Sequence, residues 1–261
     1  MNTFRHYNLC VLPALLAVFM LASCQKQVNS AGEPAATHNL TIRFSAVADA
    51  QQLQLGHTYT NAWGEAYTPT AFKFYLTQLR LINTDSGITY NMNKDEYFLV
   101  NFEDSASVQL NLKAVPYTYD RIAFLLGVDS IRNVSGAQTG ALDPAKAMFW
   151  TWNSGYIMAK LEGNSTSSSQ PNNKFEYHIG GFSGTDNVLK QVTLSFPLNQ
   201  AVTLQPNHSS EMTITANANS WFVGVNPLHI STTAVCTTPG PLAKQIADNY
   251  AGMFSVTGIV N

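Results

Sequence analysis

Apolar and polar residues alternate along most of this chain. Leu40, Ile42 and Phe44 are separated by Thr41 and Arg43, and Val108, Leu110 and Leu112 by Gln109 and Asn111. Val192, Leu194, Phe196 and Leu198 form a third such series, and Met212, Ile214 and Ala216 a fourth. A period of two places the apolar set on one face of an extended segment, so each series predicts a strand with one buried side. Residues 72–82, 97–100, 120–128, 155–161 and 174–179 are further strand candidates. The connections are rich in turn formers, as in Asp85-Ser86-Gly87, residues 164–173 and Pro206-Asn207. One segment departs from this pattern: in residues 241–254, Leu242, Ile246, Tyr250 and Met253 recur at helical spacing behind Pro241, a residue suited to a first helical turn. It predicts a short helix, followed by a terminal strand over residues 256–260. Many short strands joined by such turns predict an all-β fold, an antiparallel β-sandwich-like single domain with a short C-terminal helix.

The N-terminus belongs to a different class of segment. Residues 1–8 are polar with Arg5 as the only fixed charge, residues 9–21 are apolar apart from Pro13, and Leu21-Ala22-Ser23-Cys24 follows. That order describes a secretory signal, and the apolar run falls short of the roughly 20 residues a membrane span needs. The last four residues resemble a bacterial lipobox, which implies a lipid on the Cys24 thiol and removal of residues 1–23. Residues 24–38 show no apolar period and read as a flexible tether, leaving 39–261 as the domain. Cysteine usage agrees. Cys10 lies within the signal, and a lipidated Cys24 leaves Cys236 with no partner, so a core rather than a disulfide must hold the fold. Cys236 itself reads either as a thiolate ligand or, more ordinarily, as a small buried hydrophobe.

Charge narrows the function. Charged residues are 11% of the chain, against about 25% in ordinary globular proteins. Arg5 is the one charged residue among 1–23, so its loss takes the formal net charge from −2 to about −3. No basic run exists to grip nucleic acid. Phosphate-loop, His-Glu-x-x-His and Gly-x-Ser-x-Gly motifs are all missing, and the chain reads as a binding protein rather than an enzyme. Glu162 and Glu176 would face one another across a hairpin, as a glycosidase's carboxylates do, although such glutamates beside a loop are ordinarily solvated.

The aromatic run Met148-Phe149-Trp150-Thr151-Trp152-Asn153-Ser154-Gly155-Tyr156 is the most unusual stretch. If extended, it puts Trp150 and Trp152 on one face. Two readings stand: packing in the core or at its rim, and a redox-active or ligand-lining aromatic pair. His178 lies in a strand candidate with facing opposite to Tyr177 and Ile179, and points either inward or outward. An imidazole beside an indole-derived ligand would suit a soft ion such as Cu(I). The other imidazoles of the exported chain are His38 in the tether, His57, His208 in a turn, and His229.

These residues carry a resemblance. The stretch from Asp143-Pro144 through Trp150-Thr151-Trp152-Asn153-Ser154-Gly155-Tyr156-Ile157, then Leu161-Glu162-Gly163, then Phe175-Glu176-Tyr177-His178-Ile179-Gly180-Gly181, resembles the MbnP-like family of copper-binding methanobactin-cluster partner proteins. Tyr59 to Glu65, Phe72 to Leu76 and Gly127-Val128-Asp129 fit as well, and Ile246 to Phe254 looks like the version in Bacteroidetes lipoproteins. The resemblance implies a β-rich protein of the periplasm or cell surface, here at the outer membrane. It further implies copper held by imidazoles and by a Trp oxidised to kynurenine, the oxidation being the work of a dihaem enzyme of the cytochrome c peroxidase type. Kynurenine carries an aromatic amine and a carbonyl, so an indole that cannot ligate becomes a group that can. By motif, His178 matches the family's Phe-x-His-x-Gly histidine, and Trp150 and Trp152 match its paired Trp motif.

There are departures. Where methanotroph-type members carry Asn-His, this chain has Asn133-Val134, and where they have Ser-Thr-Gly-Cys after the His-x-Gly, it has Gly181-Phe182-Ser183-Gly184. One imidazole is thus missing, and His229 is the candidate to replace it. In a straight hairpin of residues 156–161 with 174–179, His178 pairs near Ile157 and Trp152 lies ~17 Å further along, at about 3.4 Å per residue. A bend after Gly155 or another register closes that gap. The expected function is therefore copper binding or handling by a lipid-anchored exported protein. The competing reading is a surface module that docks glycan or protein through its Trp-rich edge without a metal.

Overall fold

The computed structural model describes residues 36–92, 95–151, 155–198 and 200–261. The expected signal peptide, Cys24 and most of the expected tether lie outside these residues, as does Trp152. In chain order the strands are β1 (His38–Ala48), β2 (Gln51–Gln52), β3 (Tyr59–Thr60), β4 (Ala66–Asn83), β5 (Ile88–Asn91) and β6 (Tyr97–Asn101). Then come β7 (Gln109–Ala114), β8 (Thr118–Tyr119), β9 (Arg121–Leu126), β10 (Phe149–Trp150), β11 (Gly155–Asn164) and β12 (Lys174–Gly180). The series ends with β13 (Lys190–Ser195), β14 (Val202–Thr203), β15 (Ser210–Asn217), β16 (Val235–Cys236) and β17 (Phe254–Val260). Two α-helices, α1 (Ser130–Val134) and α2 (Pro241–Tyr250), interrupt them.

Two large sheets result. One is ordered β17-β15-β1-β2 with β7 also on β1, and the other β13-β9-β4-β11-β12-β16. The alternating series behave as expected: Leu40, Ile42, Met212, Ile214 and Ala216 are all buried. Their side chains meet those of the second sheet edge to face. Phe44 of β1 lies 5.9 Å from Phe74 of β4, and Phe254 of β17 lies 5.1 Å from Phe74 and 5.3 Å from Phe124. This aromatic layer between the sheets is the core of an all-β sandwich, and apolar burial of this kind supplies its main stabilisation, Cys236 being free.

The 18-residue β4 is the spine of the second sheet. It pairs with β11 and β6 along its first part and with β9 and β5 along its second, the switch marked by a register shift between Thr77 and Arg80 and a positive φ at Gln78. Its middle, Phe74 to Thr77, is buried on both faces, whereas its two ends alternate between buried and more exposed positions. Most pairings are antiparallel, but β1 lies parallel to β15 and β12 parallel to β16. Pattern carries face, not direction, so these pairings left no mark on the sequence.

The helix α2 begins with Pro241 in its first turn and buries Ile246 and Tyr250 as their spacing predicts, with Ala243 and Ala247 beside them, while Leu242 is half-buried. One strand stops early. The Val192 series predicts burial through Leu198, but β13 ends at Ser195 and Leu198 is 89% exposed. Pro197 has no N–H to continue the ladder. Among the described residues no helix is long and apolar enough to cross a membrane.

Candidate functional site

The site grows from the β11–β12 hairpin. Phe175, Tyr177 and Ile179 face the core, so the alternation turns His178 to the other side of β12. His178 is opposite Lys160 and Glu162 opposite Glu176. The straight hairpin expected from the sequence puts His178 near Ile157; here Ile157 pairs with Gly180, a bulge follows it, and His178 sits three residues along, at Lys160. The diagonal neighbours His178 and Glu162 then meet, with Nε2 2.5 Å from Oε1. Lys160 Nζ lies 3.1 Å from the same oxygen and donates to the Ala147 carbonyl at 2.8 Å.

Charge in this cluster is settled by its contacts. The hydrogen bond from His178 holds the Glu162 carboxyl down at about 2, against the opposing effect of burial and with help from Lys160. Glu162 is therefore an anion that accepts from the imidazole, and among the described residues Nδ1 of His178 has no hydrogen-bond partner. In a neutral imidazole, an Nε2–H given to a carboxylate leaves a lone pair on Nδ1, the arrangement that orients metal-binding imidazoles. Glu162 and Glu176 do face each other, but Glu162 is committed to His178 and Lys160.

The aromatic run is two short strands rather than one. Phe149 and Trp150 form β10, which pairs antiparallel with Tyr156 and Gly155 at the start of β11. This return path lays Trp150, 6% exposed, over β12. A Cβ on Gly180 would fall 2.4 Å from Trp150 Cζ3, so the indole occupies the space that glycine leaves open. Gly180 is two residues from His178 and shares its side of the strand, which brings Trp150 onto the face that carries the imidazole.

Asn133 supports this hairpin from α1. Fully buried, it donates to the carbonyls of Val128 (2.6 Å) and Asp129 (2.9 Å) and accepts from the Tyr156 N–H at 2.9 Å. The neighbouring Val134, at the position where the resemblance puts an imidazole, is 72% exposed.

His229 belongs to a second cluster. Its ring packs at a tilt of 36° against Trp63 with centroids 4.5 Å apart, and Trp63, 39% exposed, donates its indole N–H to the Phe222 carbonyl at 2.9 Å. Buried Glu65 anchors the loop, accepting from Asn61 Nδ2, the Ile230 N–H and the Ser231 N–H at 2.8–2.9 Å. Burial would raise its pKa, but the bonds from Asn61, Ser231 and Ile230 together lower it. His57 and His208 are exposed. Among the described residues no three His, Cys, Asp or Glu side chains are gathered as a metal site, so His229 does not join His178 and Glu162. Cys236 is buried, and burial pushes its thiol up to about 11, the behaviour of a packing residue.

Reading the sequence missed three participants: Glu162 as the partner of His178, Gly180 as the seat of Trp150, and Asn133 as the anchor of the hairpin. The first was within reach, since Glu162 and His178 lie on the same side of neighbouring strands. The other two depend on how β10 folds back.

A two-sheet all-β sandwich with an imidazole–carboxylate pair beside a seated indole defines the class of domain. The family model described as MbnP matches residues 37–238, and the chain belongs to the MbnP family. Among solved structures it is similar to MbnP from Methylosinus trichosporium, at 14% identity and a TM-score of 0.50, over 80% of this chain and 83% of that one. No curated protein sequence matches it.

Proposed function

We propose that this protein is an exported, lipid-anchored copper-handling member of the MbnP family, with His178 as an imidazole ligand through Nδ1. The observation that carries the reading is the placement of Trp150 against Gly180, on the side of β12 that presents His178. The donor set matters here. The described residues offer one imidazole already oriented by a carboxylate, and an indole is no ligand. Oxidation of Trp150 or Trp152 to kynurenine would add an amine and a carbonyl to that face, and neutral nitrogen donors suit Cu(I). A dihaem peroxidase-type enzyme is the proposed agent, and a lipid at Cys24 would hold the chain in the outer membrane, in the compartment where such an enzyme works.

The test is made on protein purified from its native host under reducing conditions. Intact mass is expected to show oxidation at one Trp, and metal analysis one copper per chain that is lost in His178→Ala. An unoxidised set of four Trp residues with no copper retained would overturn the reading.

A second reading rests on Trp63. It is exposed, packed against the His229 ring and tied by its N–H, a rigid indole presented to solvent. A metal-free docking module would lose its partner in Trp63→Ala while its metal content stayed the same.

A further inference from the structure

A cleft of about 450 Å³ lies between β6, α1 and the segment that follows it, within the size range of small-ligand sites. Its apolar lining is Tyr97, Ala141 and the buried Leu142. The wall is rigid, because the hydroxyls of the buried Tyr75 and Tyr156 donate to the carbonyls of Ala141 (2.9 Å) and Leu142 (2.8 Å).

Two opposite charges look into this space. Arg132 stands over the Tyr97 ring at 5.9 Å and is steadied by Gln138, to whose Oε1 it donates at 3.3 Å and whose Nε2 donates back to the Arg132 carbonyl at 2.9 Å. Among the described residues its guanidinium has no carboxylate partner. Asp129, the nearest acid in sequence, is taken up by the Tyr97 hydroxyl and by the backbone N–H of Arg132 at 3.2 Å. Asp95 lines the same cleft and has no hydrogen bond or ion pair among the described residues. A guanidinium left with free donors binds a carboxylate through two parallel bonds. A free carboxylate across the same space binds an ammonium.

We propose that this cleft binds a small zwitterion of the amino-acid type. Its carboxylate pairs with Arg132, its ammonium with Asp95, and its hydrocarbon part lies on Tyr97 and Leu142. The site uses no metal and is independent of the copper reading.

Calorimetric titration of the full chain tests it with three probes of nearly one shape: L-leucine, isocaproate (no amine) and isoamylamine (no carboxylate). Leucine is expected to bind at least about tenfold more tightly than either single-charge analogue. Asp95→Asn should bring leucine down to the level of isocaproate, and Arg132→Met down to that of isoamylamine. Equal binding of the three probes, no leucine binding at millimolar concentration, or full leucine affinity retained in both variants would overturn the proposal. Asp95 is exposed, so its substitution keeps the test valid even where Arg132→Met disturbs α1.

Discussion

At the scale of single residues, the contact between Gly180 and Trp150 is the least tolerant feature of the site. A side chain at 180 would have to displace the indole or the strand. Overpacking of this kind costs about 1–3 kcal/mol. Gly180→Val is therefore expected to lower the denaturation midpoint by that amount and to shift the near-ultraviolet circular dichroism of the Trp residues. Glu65 supplies a pH dependence. Its carboxyl titrates lower in the folded chain than the ordinary 4.5 because Asn61, Ser231 and Ile230 donate to the ionised form. A depressed folded pKa means that its stabilisation is complete above the unfolded value and is lost as pH falls from about 4.5 through the folded one. Stability measured by urea titration should decline over that range, and Glu65→Gln should flatten the decline. Glu65→Ala should cost roughly 1–3 kcal/mol at neutral pH, since it strands the buried Ile230 N–H and the buried Asn61 amide. None of these roles is written in residue type: a glycine in a His-Ile-Gly-Gly run and a glutamate after a Trp-Gly look alike before their neighbours are known.

At the scale of elements, α1 and the β10–β11 hairpin act as one unit through Asn133. Replacing Asn133 by Ala removes two donors and leaves the buried Tyr156 N–H without its acceptor, at a cost of about 1–3 kcal/mol. Hydrogen exchange should quicken first at Tyr156 and Ile157, while amides of β1 and β15 keep their protection. Most elements were legible because each carries its own period. The series at Leu40, Leu110 and Met212 became β1, β7 and β15, and Pro241 opened α2. What local pattern missed was decided by partners. The five-residue α1 is too short to show a period, the Val192 series was cut off by Pro197, and the aromatic run folded into two strands where spacing alone allowed one.

At the scale of the molecule, aromatic rings join the two sheets. Phe74 touches Phe44, Phe72, Phe102 and Phe254, so it belongs to both sheets. Phe74→Ala should destabilise by about 3–5 kcal/mol and keep a single cooperative transition, followed by far-ultraviolet circular dichroism in guanidinium. Two separated transitions would show that the sheets unfold independently. The sequence by itself determined the all-β class, which residues enter the core and the position of the C-terminal helix, because burial on a strand or helix is a property of local period. It also marked His178 and the Trp run as unusual. The tertiary structure decided the rest: that β1 runs parallel to β15, that His178 meets Glu162 and not His229, and that Trp150 rests on Gly180. Those outcomes depend on strand order, register and chain reversal, which arise from contacts between residues far apart in the chain and leave no periodic trace in it.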